Sequence, residues 1–225
     1  MRVLVVFSIL FFASPLFANE QAEWVRIKNK DGIEVFRAHN DTSRLKTFKV
    51  ITRFEIEDIR TFIAMLLDGD SYPDWGHMIS SAEVTPTDSV YDYGIYMTTT
   101  MPWPVSNRHV KGDYHITQSE DYSLRVELTQ SEIPPPERKG YILSPEAYGY
   151  FALNTVPDSK EVELVTEIFV DPGGYVPAFL VNLITDDLSF YSTKKLRRYV
   201  LSQKYQDIEM DFIKRRPWVL QTEGE

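Results

Sequence analysis

The segment 161–170, EVELVTEIFV, alternates: Val162, Leu164, Thr166, Ile168 and Val170 fall on one side, and Glu161, Glu163 and Glu167 on the other. A period of two predicts a strand with one face on a core and one on water. Comparable runs are WVRIKN, IEVFRAH, LKTFKVITRF, MISSAEVTPT, VYDYGIYMTTTM, SNRHVKGDYHITQ, YSLRVELTQ and GYILSPEAYGYFALNTV, with Asp31-Gly32 as a hairpin turn between the first two. One stretch changes period. In EIEDIRTFIAMLLDGD, Ile56, Ile59, Phe62, Ile63, Leu66 and Leu67 recur at helical spacing until Asp68-Gly69-Asp70 stops them. The turn Asp171-Pro172-Gly173-Gly174 ends the last strand, and Pro177 then sits where a first helical turn tolerates proline. A long helix over roughly 175–206 follows, with an apolar stripe of Val176, Leu180, Leu183, Ile184, Leu188 and Tyr191. Strands, a helix, many strands and a long helix predict an α+β fold, one antiparallel sheet wrapping a terminal helix.

The strand before PWPV is less one-sided. Tyr96, Thr98 and Thr100 alternate with Ile95, Met97 and Thr99. Hydroxyls on an inward face would each need a partner in a dry core, and a cavity with polar spots satisfies them more easily. Threonine is also an ordinary strand former, so the signal lies in the set rather than in any one position.

Composition narrows the function. The chain has 225 residues, no cysteine and a formal net charge of −9. It opens with Met1-Arg2 and an apolar run from Val3 to Ala18 that Pro15 interrupts, followed by polar NEQ. That is the pattern of a secretory leader cleaved near Ala18, with an uncleaved anchor as the alternative; a membrane span needs about 20 apolar residues. The expected division is a leader at 1–18 and one domain over 19–225, with a core from about 24 to 206 and a tail at 207–225. The destination is an exported compartment such as a bacterial periplasm. The acidic balance argues against nucleic acid. The basic clusters KKLRR (194–198) and KRR (214–216) suit solvated helix faces, with a lipid-headgroup patch as the alternative. His39, His77, His109 and His115 fall in no metal-binding spacing, and no cofactor fingerprint occurs. His109 and His115 have the parity opposite to Arg108 and Tyr114, so they are expected to face outward.

Three segments in order, YPDWGHMISSAEV (72–84), MPWPVSNRHV (101–110) and DPGGYVPAFLVN (171–182), give the chain a resemblance to the START domain, the lipid-transfer domain of the steroidogenic-acute-regulatory family. The likeness runs from about Trp24 to Tyr205, and in its motifs the chain is similar to the phosphatidylcholine-transfer branch. The resemblance implies a helix-grip fold, a curved sheet around the C-terminal helix with a lipid-sized tunnel between them. It also implies an entrance formed by that helix and the loop 131–139, SEIPPPERK, which three prolines stiffen. Many family members carry an acidic residue where this chain has Thr98, and sterol-binding relatives an arginine where it has Tyr114. The phosphatidylcholine branch has a basic residue where Pro73 and Asp74 stand here, and the family's Asp after Arg108 is replaced by His109.

The ligand-lining set that follows is Tyr96, Thr98, Thr100, Trp103, Arg108, Tyr114, Leu164, Thr166, Ile168, Leu180, Leu183, Ile184 and Tyr191. Arg108 has two readings, a partner for an anionic ligand group or a structural tie for the PWPV loop, and the second is preferred. Trp103 could line the tunnel or plug its end. The expected function is non-catalytic binding and carriage of one lipid or other hydrophobic molecule by a monomer, with transient membrane contact, no metal and no cofactor. The alternative is a cavity enzyme of the cyclase or aromatase type, with His77 or Tyr114 as its acid–base group.

Overall fold

In the computed structural model, residues 23–39, 46–176, 178–205 and 208–217 are described, those at 39, 46 and 178–186 by their backbone alone. The leader expected at 1–18 and Pro177 lie outside the described residues. Ten strands form one sheet: β1 (Val25–Lys30), β2 (Ile33–His39), β3 (Lys46–Glu55), β4 (Ile79–Pro86), β5 (Asp92–Thr99), β6 (Asn107–Gln118), β7 (Leu124–Gln130), β8 (Tyr141–Leu143), β9 (Glu146–Thr155) and β10 (Glu161–Asp171). Three helices accompany them: α1 (Arg60–Leu67), α2 (Tyr72–Trp75) and α3 (Ala178–Val200). The strand order is β1-β2-β3-β10-β9-β7-β6-β5-β4. All these neighbours are antiparallel, and short β8 pairs in parallel with the part of β6 that β7 leaves free. The strand expected across 140–156 is thus two, because Ser144-Pro145 breaks the ladder between β8 and β9.

The expected curved antiparallel sheet with a long last helix is what the chain forms. α3 seats Phe190, Thr193, Leu196 and Val200 against the sheet, each under a tenth exposed. Spacings of three and four put these on one stripe. The predicted stripe was out of phase at Tyr191, whose side is 45% exposed; two adjacent aromatics, Phe190 and Tyr191, leave the sequence pattern undecided between them. α1 runs where periodicity predicts and buries Phe62, Ile63, Met65 and Leu66.

One end of the sheet is closed. There α1, α2, the last turns of α3 and the segment 208–217 pack onto Phe54, Ile116, Leu124, Leu153 and Val162. The stretch after 206, expected as a tail, contributes Met210 and Ile213 to this core. Gln118 and Lys214 hold it in place by exchanging two hydrogen bonds, of 3.0 and 2.8 Å. Deeper in, Tyr72 gives its hydroxyl proton to the Leu66 carbonyl at 2.8 Å. Having one hydrogen each, the two phenols then pair at 3.1 Å with Tyr114 as donor.

The closed end carries an acid-sensitive tie. Burial alone would raise the Asp68 carboxyl, but Lys204 at 2.5 Å and the Tyr205 hydroxyl at 2.7 Å bring it below its usual 3.8. As pH falls the unfolded chain therefore takes up this proton first. The stabilisation is complete above the unfolded pKa of about 4 and is lost as pH drops through the lower, folded value. Asp68→Asn should cost about 1 kcal/mol at pH 7, since Lys204 is half exposed. In urea melts at stepped pH, the gap to the wild type should close below pH 4.

Candidate functional site

Strand register defines which side chains face α3. Across the sheet, Val162, Leu164, Thr166 and Ile168 of β10 stand opposite Thr155, Leu153, Phe151 and Gly149 of β9. Leu153, Phe151 and Gly149 stand in turn opposite Leu124, Val126 and Leu128 of β7. Ile116, Tyr114 and Gly112 of β6 continue this row to Tyr93, Ile95, Met97 and Thr99 of β5. Along this inner face burial is graded. On β10, Val162 and Leu164 are 0% and 1% exposed, Thr166 and Ile168 are half-buried, and Val170 is 42% exposed. On β5, Ile95 is buried, while Met97 and Thr99 are half-buried. On β7, Leu124, Val126 and Leu128 are buried and Gln130 is half-buried. The register puts all three looser ends at the same end of the sheet, opposite the closed core. That end is ringed by the PWPV loop, the 131–140 loop and the turn that leads into α3.

Arg108 fixes the rim. It lies on the inner side of β6, 3% exposed, and its Nε donates to the Pro172 carbonyl at 3.2 Å. Nη2 donates to the carbonyls of Gly173 at 3.3 Å and Tyr175 at 3.5 Å, and Nη1 to that of Ser106. Burial lowers its pKa from the ordinary 12.5. Among the described residues no carboxylate pairs with it. These contacts are those of a structural tie: one guanidinium joins the PWPV loop to the Asp171-Pro172-Gly173-Gly174 turn. Asn107 closes the first loop by accepting the Met101 N–H at 3.0 Å, and Asp171 closes the second by accepting the Gly173 N–H at 2.8 Å. Gly173 sits at φ 62°, where a Cβ would come within 2.6 Å of the Leu143 carbonyl oxygen. Only glycine meets both demands.

These rigid loops hold two aromatics in solvent. Trp103, at the tip of the PWPV loop, is 92% exposed, and Tyr175 is 83% exposed. Trp103 therefore neither lines nor plugs the interior, contrary to both expectations; two flanking prolines turn its side chain out.

The β5 hydroxyls are likewise not on the inner face. Tyr96 faces the other way, 3.0 Å from Nδ1 of His109. Thr98 is buried on that outer side, bonded to the hydroxyls of Ser80 at 2.8 Å and Ser81 at 2.6 Å. Thr100 lies past the strand end and is exposed. The inward row is Tyr93, Ile95, Met97 and Thr99, so the parity chosen from sequence was off by one. The cause is that both faces are covered here. The outer one carries a small cluster in which the buried His109 ring lies 6.2 Å from half-buried Tyr141, and exposed Arg138 stacks on Tyr141 at 4.4 Å. His109 and His115 do face outward as expected, but His109 is 4% exposed. Burial, aided by the Arg138 charge, lowers its pKa from the usual 6.5.

Of the remaining expected residues, Tyr114, Leu164, Thr166 and Ile168 share the inner face. Tyr114 lies at the sealed end, where burial pushes its hydroxyl up to about 12. Tyr191 is 45% exposed, its ring 5.9 Å from that of His77 and 5.6 Å from the Lys28 ammonium of β1. The side chains of Leu180, Leu183 and Ile184 lie outside the described residues. Sequence reading missed Gln130, although the alternation of Leu124, Val126, Leu128 and Gln130 carries its direction. A surface groove of about 500 Å³ beside α3 is lined by Arg53, Lys194, Lys195, Arg197 and Arg198. Lys194 and Arg197 of the KKLRR cluster are engaged there by Asp31, at 2.6 and 3.1 Å.

No family profile matches the chain. An uncharacterized protein of Pseudomonas aeruginosa is 27% identical over 176 residues, 78% of this chain and 85% of its own length. Among solved structures, a STAR-related lipid transfer protein from Xanthomonas axonopodis aligns with a TM-score of 0.70 at 25% identity, over 80% of this chain and 99% of that one. Human STARD10 aligns with a TM-score of 0.69 at 18% identity, over 80% and 74%, a likeness of fold.

Proposed function

We propose, on the premise that the chain is a START-domain family member, that it takes up one hydrophobic molecule, a lipid in the simplest case, between the sheet and α3. The graded inner face carries this reading. A fold that needed only a core would seal both ends, whereas here Thr166, Ile168, Met97, Thr99 and Gln130 stay half-open beneath the rim. At about 0.8 kcal/mol per buried methylene, an apolar pocket holds an acyl chain without any catalytic group. Entry and release would use the 131–139 loop and the first half of α3, next to the Arg108 bolt. Nothing specific favours the enzyme alternative. Tyr114 is committed to Tyr72 and titrates too high to act as a base near neutrality. The apolar run at 3–18 supports export to a compartment such as the periplasm, where the carrier would meet membranes.

Trp103 and Tyr175 supply the membrane contact in this reading. Such rings favour the interface between water and lipid, and here they stand on two loops that one guanidinium makes a single body. A vesicle-to-vesicle transfer assay with a fluorescent phospholipid tests both steps. The wild type should accelerate transfer. The double substitution Trp103→Ala and Tyr175→Ala should slow it about tenfold or more while leaving stability within about 0.5 kcal/mol. No acceleration by the wild type with any lipid class would contradict the proposal.

A further inference from the structure

Resting on the proposed uptake of a hydrophobic molecule, we propose that Gln130 is the polar contact for that molecule and that it selects ligands whose polar end donates a hydrogen bond. Gln130 ends the inward row of β7, after Leu124, Val126 and Leu128. Its neighbour across the ladder is Gly112, which presents no side chain, and the space over Gly112 is taken by Leu128, whose Cδ1 lies 2.7 Å from where a Cβ would stand. The glutamine therefore has no side chain opposite it on β6. Its Oε1 is buried and has no hydrogen-bond partner among the described residues.

A buried carbonyl oxygen without a donor costs a protein stability that an apolar side chain of the same size would not. The same oxygen gains most from a ligand that brings a donor to it. Position sharpens the chemistry, because Gln130 lies at the open end, beside the start of the 131–140 loop, where a polar end would come to rest after apolar chains have entered. An O–H or N–H group satisfies Oε1, as in a diacylglycerol hydroxyl, a glycerol headgroup or an ammonium. A phosphocholine head has acceptors only and leaves it unpaired.

The test uses two probes with identical chains, fluorescently labelled dioleoylglycerol and its 3-O-acetyl ester, titrated against the full mature chain. The wild type should bind the free hydroxyl about tenfold more tightly than the ester. In Gln130→Met and Gln130→Leu, that preference should fall to within twofold, through weaker binding of the free hydroxyl alone. Both variants, with no ligand bound, should melt no lower than the wild type, since each removes an unpaired oxygen. Equal affinities of the wild type for both probes, or a preference that survives both variants, would overturn the role of Gln130 while leaving lipid uptake intact. Failure of the wild type to bind either probe or a labelled phosphatidylcholine would overturn the uptake reading itself, and this inference with it.

Discussion

Arg108→Ala should destabilise the fold by about 3–5 kcal/mol, a large share of the 5–15 kcal/mol typical of a domain. The size follows from the count of broken contacts. One side chain satisfies the carbonyls of Ser106, Pro172, Gly173 and Tyr175. Truncation leaves each without its donor, at about 1–3 kcal/mol for every one that water cannot reach. Arg108→Lys should recover only part, since an ammonium keeps the charge but not the planar fork that serves two loops at once. The effect should also be spatially specific. Limited proteolysis of Arg108→Lys should open both the PWPV loop and the 171–176 turn, because neither holds its place without the other. If Arg108→Ala costs less than about 1 kcal/mol in urea, Arg108 is not the bolt.

The second large effect separates the two ends of the inner face. Leu164, 1% exposed, and half-buried Ile168 lie on the same side of β10, four residues apart. At the sealed end Leu164→Ala should cost about 2–5 kcal/mol, the usual range for a large-to-small change in a packed core. At the open end Ile168→Trp should change stability by about 1 kcal/mol or less, because the added ring enters space that a ligand would otherwise occupy. It should weaken binding of a fluorescent lipid about tenfold or more. A filled core predicts the opposite for Ile168→Trp: overpacking costs about 1–3 kcal/mol and binding has nothing to lose. Urea melts and lipid titrations of the two variants decide between them.

Much of this was legible in the residues. EVELVTEIFV assigns its faces correctly because one side is acidic and the other apolar, and the DPGG turn and PWPV loop place the rim through glycine and proline chemistry. What misled was a strand covered on both sides. Along 95–100 the aliphatic Ile95 and Met97 do mark the inner parity, but hydroxyls stand on both, and the reading followed the hydroxyl-rich set of Tyr96, Thr98 and Thr100 instead. Phe190 and Tyr191 pose the same problem on α3, where only packing against Ile33, Val35 and Val50 selects Phe190. Trp103 misled in another way, since an aromatic between prolines reads equally as an anchor turned in or a probe turned out. The Arg108 contacts join residues about 65 positions apart through backbone carbonyls, and no side-chain pattern marks a carbonyl. Gln130, by contrast, was readable from parity, but an amide at a strand end draws no notice until its oxygen is found buried without a partner among the described residues.

The central claim is that the half-open face holds a molecule, and native mass spectrometry of the protein purified from its own host tests it most directly. The account predicts a folded chain carrying one lipid-sized adduct, released by collisional activation and absent from Ile168→Trp. A folded protein that comes through free of adduct, and stays so after incubation with vesicles of its host's lipids, would contradict it.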